Sequence, residues 1–146
     1  MNRMERLFMD NHFKKFMESQ LEYICKKYGM KKTELNIFVY LSKASGKNRG
    51  SDICNFLNLN KGYLSHVLEE LCVKGYLEAV PDKDDRRYIH YNPTELAKPM
   101  MEDLMQTKSR LDARMLAGIT EEEFQVLERV SVKIEQNVQD MLKNGL

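Results

Sequence analysis

Residues 61 to 98 read KGYLSHVLEELCVKGYLEAVPDKDDRRYIHYNPTELAK and change their periodicity once. Leucine and valine recur every three or four residues as far as Gly75, which predicts a helix over residues 61 to 74 that stops at the glycine. The two segments that follow, YLEAV and YIHYN, are rich in β-branched and aromatic residues and flank a run of charged residues. This part of the chain therefore predicts a helix followed by a β-hairpin with a polar tip.

The residues before this stretch predict a second short helix, which a tight turn joins to the helix over residues 61 to 74. It begins at Ser51 or Asp52, both good N-cap residues, and the turn NLN places Asn60 as the N-cap of the helix over residues 61 to 74. Two short helices joined by a three-residue turn and followed by a hairpin are typical of a winged helix-turn-helix. In that module the second helix is the recognition helix and the hairpin is the wing.

Apolar residues at helical spacing continue on both sides of this module. A helix begins between Lys31 and Glu34, and Thr94 is the predicted N-cap of a long helix after the hairpin. Thr120 and Glu123 form a capping box that opens the last helix. Three long helices are predicted, over residues 4–28, 95–116 and 121–143.

The order of these elements predicts the fold class. It is mainly α with a small β-hairpin, a winged helix-turn-helix over residues 31 to 92 flanked by long N- and C-terminal helices. We expect a single domain over residues 1 to 146. The long helices are too apolar to be covered by one small winged domain, so we expect them to be dimerisation helices that pack against a second copy.

The overall composition is that of an ordinary soluble protein, with 42% hydrophobic and 31% charged residues in a chain of 146. No apolar run approaches the roughly 20 residues that cross a bilayer, so we expect a cytoplasmic protein without a membrane partner. Three widely spaced cysteines suggest neither a disulfide framework nor a metal site, and no cofactor is expected. Residues 1 to 50 carry eleven basic against five acidic side chains, which permits a basic face for nucleic acid despite a net charge of +1.

The segment DKDDRRYIHYNPTELA resembles the wing and following helix of the multiple antibiotic resistance regulator (MarR) family of bacterial transcription factors, where Asp-Arg-Arg, a strand and Leu-Thr commonly follow one another. The preceding segment, KGYLSHVLEELCVKGYLEAV, is similar to the family's recognition helix and its Leu-x-x-Lys-Gly-aromatic-Leu exit. Pro93 stands where the family usually has leucine, and Lys31 where it often has a capping threonine. The resemblance implies a homodimeric regulator that binds a pseudo-palindromic DNA site, acting as a repressor released by a small aromatic effector.

A recognition helix presents the outward side chains of its N-terminal turns to base edges in the major groove. Here the outward positions carry groups that can donate to bases or phosphates, pack against a thymine methyl, or let the backbone approach closely. Each of them, taken alone, is also an ordinary exposed residue. The predicted major-groove contacts are Lys61, Gly62, Tyr63, Ser65 and His66.

The wing should lie along the adjacent minor groove, whose narrow negative channel attracts arginine. The resemblance implies that Arg87 reaches this groove, and the Asp85 carboxylate can hold its guanidinium bidentately. Lys83 and Arg86 are predicted auxiliary phosphate contacts. The remaining acidic residues of the run are interpreted as solvated turn residues, namely Asp82 and Asp84.

Two further groups of residues are candidates for binding. Basic residues in the loop before the third helix and a serine at its N-terminus are predicted phosphate contacts, because helix N-termini donate N–H groups to phosphates. These residues are Lys47, Arg49 and Ser51. In relatives a small aromatic effector enters a cleft between the dimer helices and the DNA-binding lobe. Candidate lining residues, which at helical spacing are also typical of a core, are Phe13, Phe16, Met17, Tyr28 and Tyr40.

Two other classes of function compete with a DNA-binding regulator. A winged-helix module that binds protein and has lost DNA affinity would share the fold, but the retained Lys61, Asp85 and Arg87 argue against that loss. An enzyme is not supported, because the chain contains no Ser/His/Asp set, phosphate-binding loop or metal motif. The sequence therefore favours a DNA-binding regulator that is not an enzyme.

Overall fold

The computed structural model describes residues 11 to 146, without the side chains of Asn11, Phe13 and Lys14. The predicted start of the first helix, residues 4 to 10, and the side chain of the candidate effector residue Phe13 lie outside what is described. The chain divides into two compact units, one ending at Ser109 and the other running from Arg110 to Leu146.

The predicted fold class is confirmed, since the described residues form a mainly helical winged-helix structure with one antiparallel hairpin. A single turn of 3-10 helix, Glu95–Ala97, precedes the fifth α-helix. In chain order the α-helices and strands are α1 (Asn11–Tyr28), α2 (Lys32–Leu41), α3 (Gly50–Leu57), α4 (Lys61–Val73), β1 (Leu77–Pro81), β2 (Ile89–Pro93), α5 (Lys98–Met115) and α6 (Glu121–Asn144).

Helix α3 begins one residue before the position predicted for it. Arg49 is the N-cap, and its backbone N–H donates to the Asp52 carboxylate at 3.1 Å. The prediction that Ser51 or Asp52 caps α3 is therefore wrong, because Asp52 acts from the third helical position and satisfies the cap residue's own N–H group. Ser51 lies in the first helical turn.

The prediction that Thr94 is the N-cap of the segment after the hairpin is confirmed. Its hydroxyl makes no capping bond and instead donates to the carbonyl of Gly75 across the start of the hairpin. Gly75 ends α4 with a positive φ of 82°, and a Cβ atom there would lie 3.4 Å from the Leu96 side chain. The two residues thus join the exit of α4 to the segment after β2, which closes the base of the hairpin.

One apolar core holds the first unit together. Each of α1 to α5 and the first residue of β1 contribute side chains that are almost fully removed from water, and such burial is the main stabilising term in folding. The core residues are Ile24, Met30, Leu35, Ile37, Phe38, Ile53, Leu64, Val67, Leu68, Leu71, Leu77, Ala97, Met100 and Leu104. Because α4 and the start of the hairpin pack on the same core, their outward faces keep fixed positions relative to each other.

A buried carboxylate links the start of α2 to the end of α4. Glu34 is fully buried, and its carboxylate accepts from the backbone N–H of Lys31 at 2.8 Å and from Lys74 Nζ at 3.1 Å. A buried charge is tolerated when it is paired and hydrogen-bonded in this way. The pairing therefore ties the start of α2 to the end of α4.

The second unit contains α6, whose capping box is confirmed. Thr120 N–H donates to the Glu123 carboxylate at 2.9 Å, and Glu123 N–H donates to the Thr120 hydroxyl at 3.2 Å. No residue of this 24-residue helix is buried. About half of each of several apolar side chains is exposed, among them Leu127, Val130, Val138 and Met141. Among residues 11 to 146, no helix has the length and apolarity that a membrane crossing requires.

Asn60 caps α4 as predicted, and the cap offers a test of the local fold. Its side-chain oxygen accepts from the backbone N–H groups of Gly62 at 2.9 Å and Tyr63 at 3.2 Å. Replacing Asn60 with alanine should lower the free energy of unfolding by about 0.5–2 kcal/mol, whereas aspartate keeps the acceptor and should retain the stability. Urea denaturation of both variants measures this, and an alanine variant as stable as the wild type would contradict the capping role.

Candidate nucleic-acid interface

Helix α4 presents a polar outward face opposite its buried stripe. Leu64, Val67 and Leu68 are buried, while all five predicted major-groove residues are exposed, namely Lys61, Gly62, Tyr63, Ser65 and His66. The structure also gives Gly62 a local role, because a Cβ atom there would lie 3.3 Å from the capping oxygen of Asn60. A glycine at this position therefore keeps the start of the helix free of crowding.

The imidazole of His66 has a partner on its own helix. His66 Nε2 lies 3.3 Å from the Glu70 carboxylate one turn later, and Glu70 is also 3.5 Å from Lys31 Nζ. This pairing directs the ring along α4 toward α2 and away from Lys61 at the start of the helix. It is a structural contact that the sequence analysis did not predict for His66.

At the tip of the hairpin Asp85 holds the guanidinium of Arg87 in two-pronged geometry. Arg87 Nε donates to Asp85 at 3.0 Å and Nη2 donates at 2.7 Å, and the Arg87 backbone N–H donates to the same carboxylate at 3.1 Å. The Arg87 guanidinium holds the pKa of Asp85 below its usual range, and the pKa of Arg87 is raised in turn. The side chain of Arg87 is 87% exposed, so the pair presents a fixed cationic group to solvent.

The interpretation of Asp82 as a solvated turn residue is wrong. Its side chain is only 15% exposed, and one carboxylate oxygen accepts from the backbone N–H groups of Asp84 and Asp85 at 2.9 and 3.1 Å. The other oxygen is 3.1 Å from Arg49 Nη2 and 2.7 Å from His90 Nε2. These contacts, the one with His90 foremost, hold the pKa of Asp82 well below its usual range. Asp84 is exposed, in agreement with its interpretation.

The loop before α3 is joined to the hairpin by backbone and side chain together. Arg49 pairs with His90 as an isolated β-bridge, and the Tyr91 N–H donates to the Asn48 carbonyl at 2.9 Å. The Arg49 guanidinium also lies 4.3 Å from the centre of the Tyr88 ring, a favourable cation–π distance. Since Arg49 is held by Asp82 and Tyr88, it supports the hairpin in addition to its predicted phosphate contact.

An open concavity of about 460 Å³ lies between α3, α4 and the hairpin. Its floor is apolar, with Leu64, Leu68 and Ile89 among its residues. Its rim brings together predicted major-groove, wing and phosphate contacts, namely Arg49, Ser51, Lys61, Ser65 and Arg87. The other predicted DNA contacts lie outside this lining, namely Lys47, Gly62, Tyr63, His66, Lys83, Asp85 and Arg86.

Comparison with known proteins identifies the family of this chain. The family model described as a winged helix DNA-binding domain matches residues 19 to 97, more than half of the chain. The chain belongs to the winged helix DNA-binding domain family. The Transcriptional regulator AdcR of Streptococcus pneumoniae is 32% identical over 71 residues, which are 49% of this chain and 47% of that relative, so the match spans about half the length of AdcR.

Two solved structures share their fold with this chain over most of its length. A MarR/EmrR family transcriptional regulator from Acinetobacter has a TM-score of 0.75 and 24% identity, covering 97% of this chain and 100% of its own. A mutant of MepR from S. aureus, bound to an oligodeoxyribonucleotide, has a TM-score of 0.62 and 15% identity over 94% of this chain and 99% of its own. The resemblance to the MarR family is thereby confirmed at the level of the fold, and residues 19 to 97 form a winged helix DNA-binding domain. The relatives from Streptococcus pneumoniae and Acinetobacter are both transcriptional regulators.

Among the candidate effector residues with described side chains, Tyr40 and Tyr28 contact different parts of this winged helix protein. The Tyr40 hydroxyl donates to the Lys47 carbonyl at 2.7 Å, and its ring packs on Phe56 with centres 4.7 Å apart. The Tyr28 hydroxyl instead donates to Asp103 at 2.7 Å. Phe16 is about half-exposed and Met17 is partly buried. Tyr28 and Tyr40 therefore each have a structural partner of their own.

A second ion pair near Tyr28 joins α1 to α5. Lys27 Nζ donates to the same Asp103 carboxylate at 2.7 Å, which raises the pKa of Lys27 to about 12. The Asp103 hydrogen bond also raises the pKa of Tyr28. Both side chains therefore stay protonated at neutral pH and donate to one acceptor, which ties the two long helices of the first unit together.

Residues that support the wing were missed because their partners are far apart in sequence. Asp82 is 33 residues from Arg49, and Asn48 is 44 residues from Asn92. One local signal was available, since an aspartate followed by a turn often accepts from the N–H groups two and three residues later. That pattern would have predicted the bonds that Asp82 accepts from the backbone N–H groups of the turn, although not its contact with His90.

The low pKa of Asp82 predicts a specific dependence of stability on pH. Because the folded protein favours the ionised carboxylate, its contribution is fully present above the unfolded value of about 4 and is lost as the pH falls toward the lower folded value. Thermal melts of the wild type and Asp82→Asn should therefore differ most near neutral pH and converge in acid. A difference that persists unchanged into acid would contradict this assignment. Asp84→Asn, an exposed neighbour, is the matched control.

Proposed function

We propose that this protein is a transcriptional repressor that binds a pseudo-palindromic operator as a homodimer and leaves it when a small aromatic effector binds. The observation that carries this proposal is the shared rim of the concavity between α3, α4 and the hairpin. There Lys61 and Ser65 of α4 face the same space as Arg87 of the hairpin. A recognition helix and a wing that meet in this way suit adjacent major and minor grooves of one duplex.

In this proposal each element contacts a different part of the duplex. The start of α4 reads base edges, and Lys61, Tyr63 and Ser65 are its main donors and apolar contacts. Gly62 allows close approach of the helix backbone, and His66 is exposed on the same helix. Backbone N–H groups at the start of α3, together with nearby side chains, contact phosphates. These nearby side chains are Lys47, Arg49 and Ser51.

The wing contributes a held arginine to the minor groove. The Asp85 carboxylate keeps the guanidinium of Arg87 extended, and a narrow minor groove has the negative potential that attracts such a group. Lys83 and Arg86 are exposed in the same charged run and add sequence-independent contacts to phosphate. The MepR mutant with bound oligodeoxyribonucleotide shares this fold and supports the same use of it here.

The homodimer is supported by the apolar stripe of α6. Phe124, Leu127, Val130, Val138 and Met141 recur every three or four residues, or multiples of these, and no residue of the helix is buried. A helix with such a stripe is stable in water when another helix covers it. We propose that the long helices are the dimerisation elements of one MarR-like domain. A second copy would place two recognition helices about 34 Å apart, one helical turn of DNA.

The stoichiometry of the DNA complex tests this proposal. A labelled duplex from the region upstream of the protein's own coding sequence is titrated, and the complex is analysed by sedimentation velocity. We expect two protomers per operator, and footprints on two half-sites one helical turn apart. A complex of one protomer per duplex would contradict the homodimer. Failure to bind any duplex would contradict the proposal and favour the protein-interaction module.

A further inference from the structure

The guanidinium of Arg49 is held by two side chains of the hairpin. Its Nη2 donates to the Asp82 carboxylate at 3.1 Å, and its central carbon lies 4.3 Å from the centre of the Tyr88 ring. A cation within about 6 Å of an aromatic centre is attracted to the face of the ring. The backbone of Arg49 is fixed as well, because its N–H donates to Asp52 in the first turn of α3. The side chain therefore runs from the start of α3 to the hairpin in one defined direction.

The two side chains that hold Arg49 belong to one closed turn. The Asp82 N–H donates to the Tyr88 carbonyl at 2.8 Å, and the Tyr88 N–H donates to the Asp85 carbonyl at 3.0 Å. These bonds fix the backbone from which the Tyr88 ring extends, directly before β2. The ring and the carboxylate that contact Arg49 therefore keep their positions relative to each other. The same turn carries Arg87, which is paired with Asp85.

The held guanidinium remains accessible. The side chain of Arg49 is 38% exposed and Tyr88 is 46% exposed. Both residues line the concavity between α3, α4 and the hairpin, together with Lys61 and Arg87. A guanidinium carries five N–H donors, so a bond to one carboxylate leaves others for a phosphate oxygen. Arg49 therefore combines a fixed direction with donors that it can offer to a phosphate at this rim.

We propose that Tyr88 is a positioning residue for DNA binding, which together with Asp82 orders the Arg49 side chain before it meets a phosphate. The inference rests on the proposed contact of this rim with DNA. A long side chain that is already ordered loses less entropy when the complex forms. The contact with the guanidinium uses the face of the ring and not the hydroxyl, so phenylalanine can replace tyrosine here and leucine cannot.

Proton nuclear magnetic resonance of the free protein tests the contact between Tyr88 and Arg49 without DNA. The ring current of an aromatic side chain shifts protons above its face upfield. We expect the side-chain signals of Arg49 to lie upfield of those of an ordinary arginine in the wild type and in Tyr88→Phe, and to move downfield in Tyr88→Leu. Arg49 signals that are alike in all three proteins would overturn the proposal.

Affinity for the upstream duplex tests the consequence for DNA binding. Tyr88→Leu should weaken binding by about three- to tenfold, the range expected when one long side chain has to be ordered in the complex. Tyr88→Phe, the matched control, should bind like the wild type. In an Arg49→Ala background no guanidinium is left to order, so Tyr88→Leu should change the Kd by less than about twofold. Equal losses in the two backgrounds, or equal losses in Tyr88→Phe and Tyr88→Leu, would overturn the proposal.

The salt dependence of the same binding separates a positioning role from a structural one. Arg49→Ala removes one phosphate contact, so the slope of log Kd against log salt should fall by about one. Tyr88→Leu leaves the cation in place and should keep the wild-type slope. A lower slope in Tyr88→Leu, or an unchanged slope in Arg49→Ala, would overturn the proposal. Failure of the wild type to bind DNA would instead contradict the proposed function, with the proton shifts still deciding whether Tyr88 holds Arg49.

Discussion

Val130→Asp is expected to reduce operator affinity by about 100-fold or more, because a protein that binds two half-sites loses the gain of simultaneous binding when its dimer dissociates. Val130 is 46% exposed on α6, in the middle of the stripe that also contains Leu127 and Ile134. A buried, unpaired aspartate in that interface is costly. Sedimentation equilibrium should therefore show monomers at concentrations where the wild type is dimeric.

The same substitution on the other side of α6 is a matched control. Val132 is 52% exposed and lies two residues further along, on nearly the opposite face of the helix. Val132→Asp should leave the dimer and its DNA affinity close to those of the wild type. If both substitutions dissociate the protein equally, the assignment of the interface to the stripe containing Val130 is contradicted.

Arg87→Ala is expected to weaken operator binding by about tenfold or more, the range of one lost arginine contact to DNA. The pair with Asp85 fixes the direction of the guanidinium before DNA arrives, so little side-chain entropy remains to be lost on binding. Arg87→Lys should recover only part of the affinity, because an ammonium cannot form the bidentate pair with Asp85. Fluorescence anisotropy with the operator duplex measures both variants.

Arg86→Ala is the matched control for this position. Arg86 is the neighbouring arginine, exposed on the same turn, and its proposed contact is to phosphate alone. Its loss should weaken binding by a smaller factor that is similar for all duplex sequences. Equal losses in the two alanine variants, on specific and random duplexes alike, would contradict the special role of Arg87 in the minor groove.

The elements of the fold could be predicted because their signals are local. Asn60, Gly75 and the Thr120–Glu123 box mark helix ends through bonds that span a few residues, and each is observed. The change from helical to alternating period after Gly75 likewise identified the hairpin. The cap of α3 was misplaced because Asp52 can act as the cap itself or from the third helical position, and the local sequence permits both.

The candidate site could be predicted only where its geometry is equally local. The Asp85–Arg87 pair joins residues two apart, and it was expected from the resemblance to the MarR wing together with the ability of a carboxylate to hold a guanidinium bidentately. Asp82 was assigned to solvent because its partners Arg49 and His90 approach it only when the loop before α3 lies beside the hairpin. The sequence does not show which of several basic residues pairs with a carboxylate in a charged run, because the fold determines which of them lies beside it.

The salt dependence of duplex binding tests the central claim most directly, that this winged helix surface binds DNA. The wild-type Kd for its own upstream duplex is measured at several salt concentrations. If the rim of the concavity contacts phosphates, log Kd rises linearly with log salt, with a slope of about 0.9 per phosphate neutralised. We expect a steep slope in the wild type that falls by about one in Lys61→Ala. A slope near zero in the wild type would contradict the account.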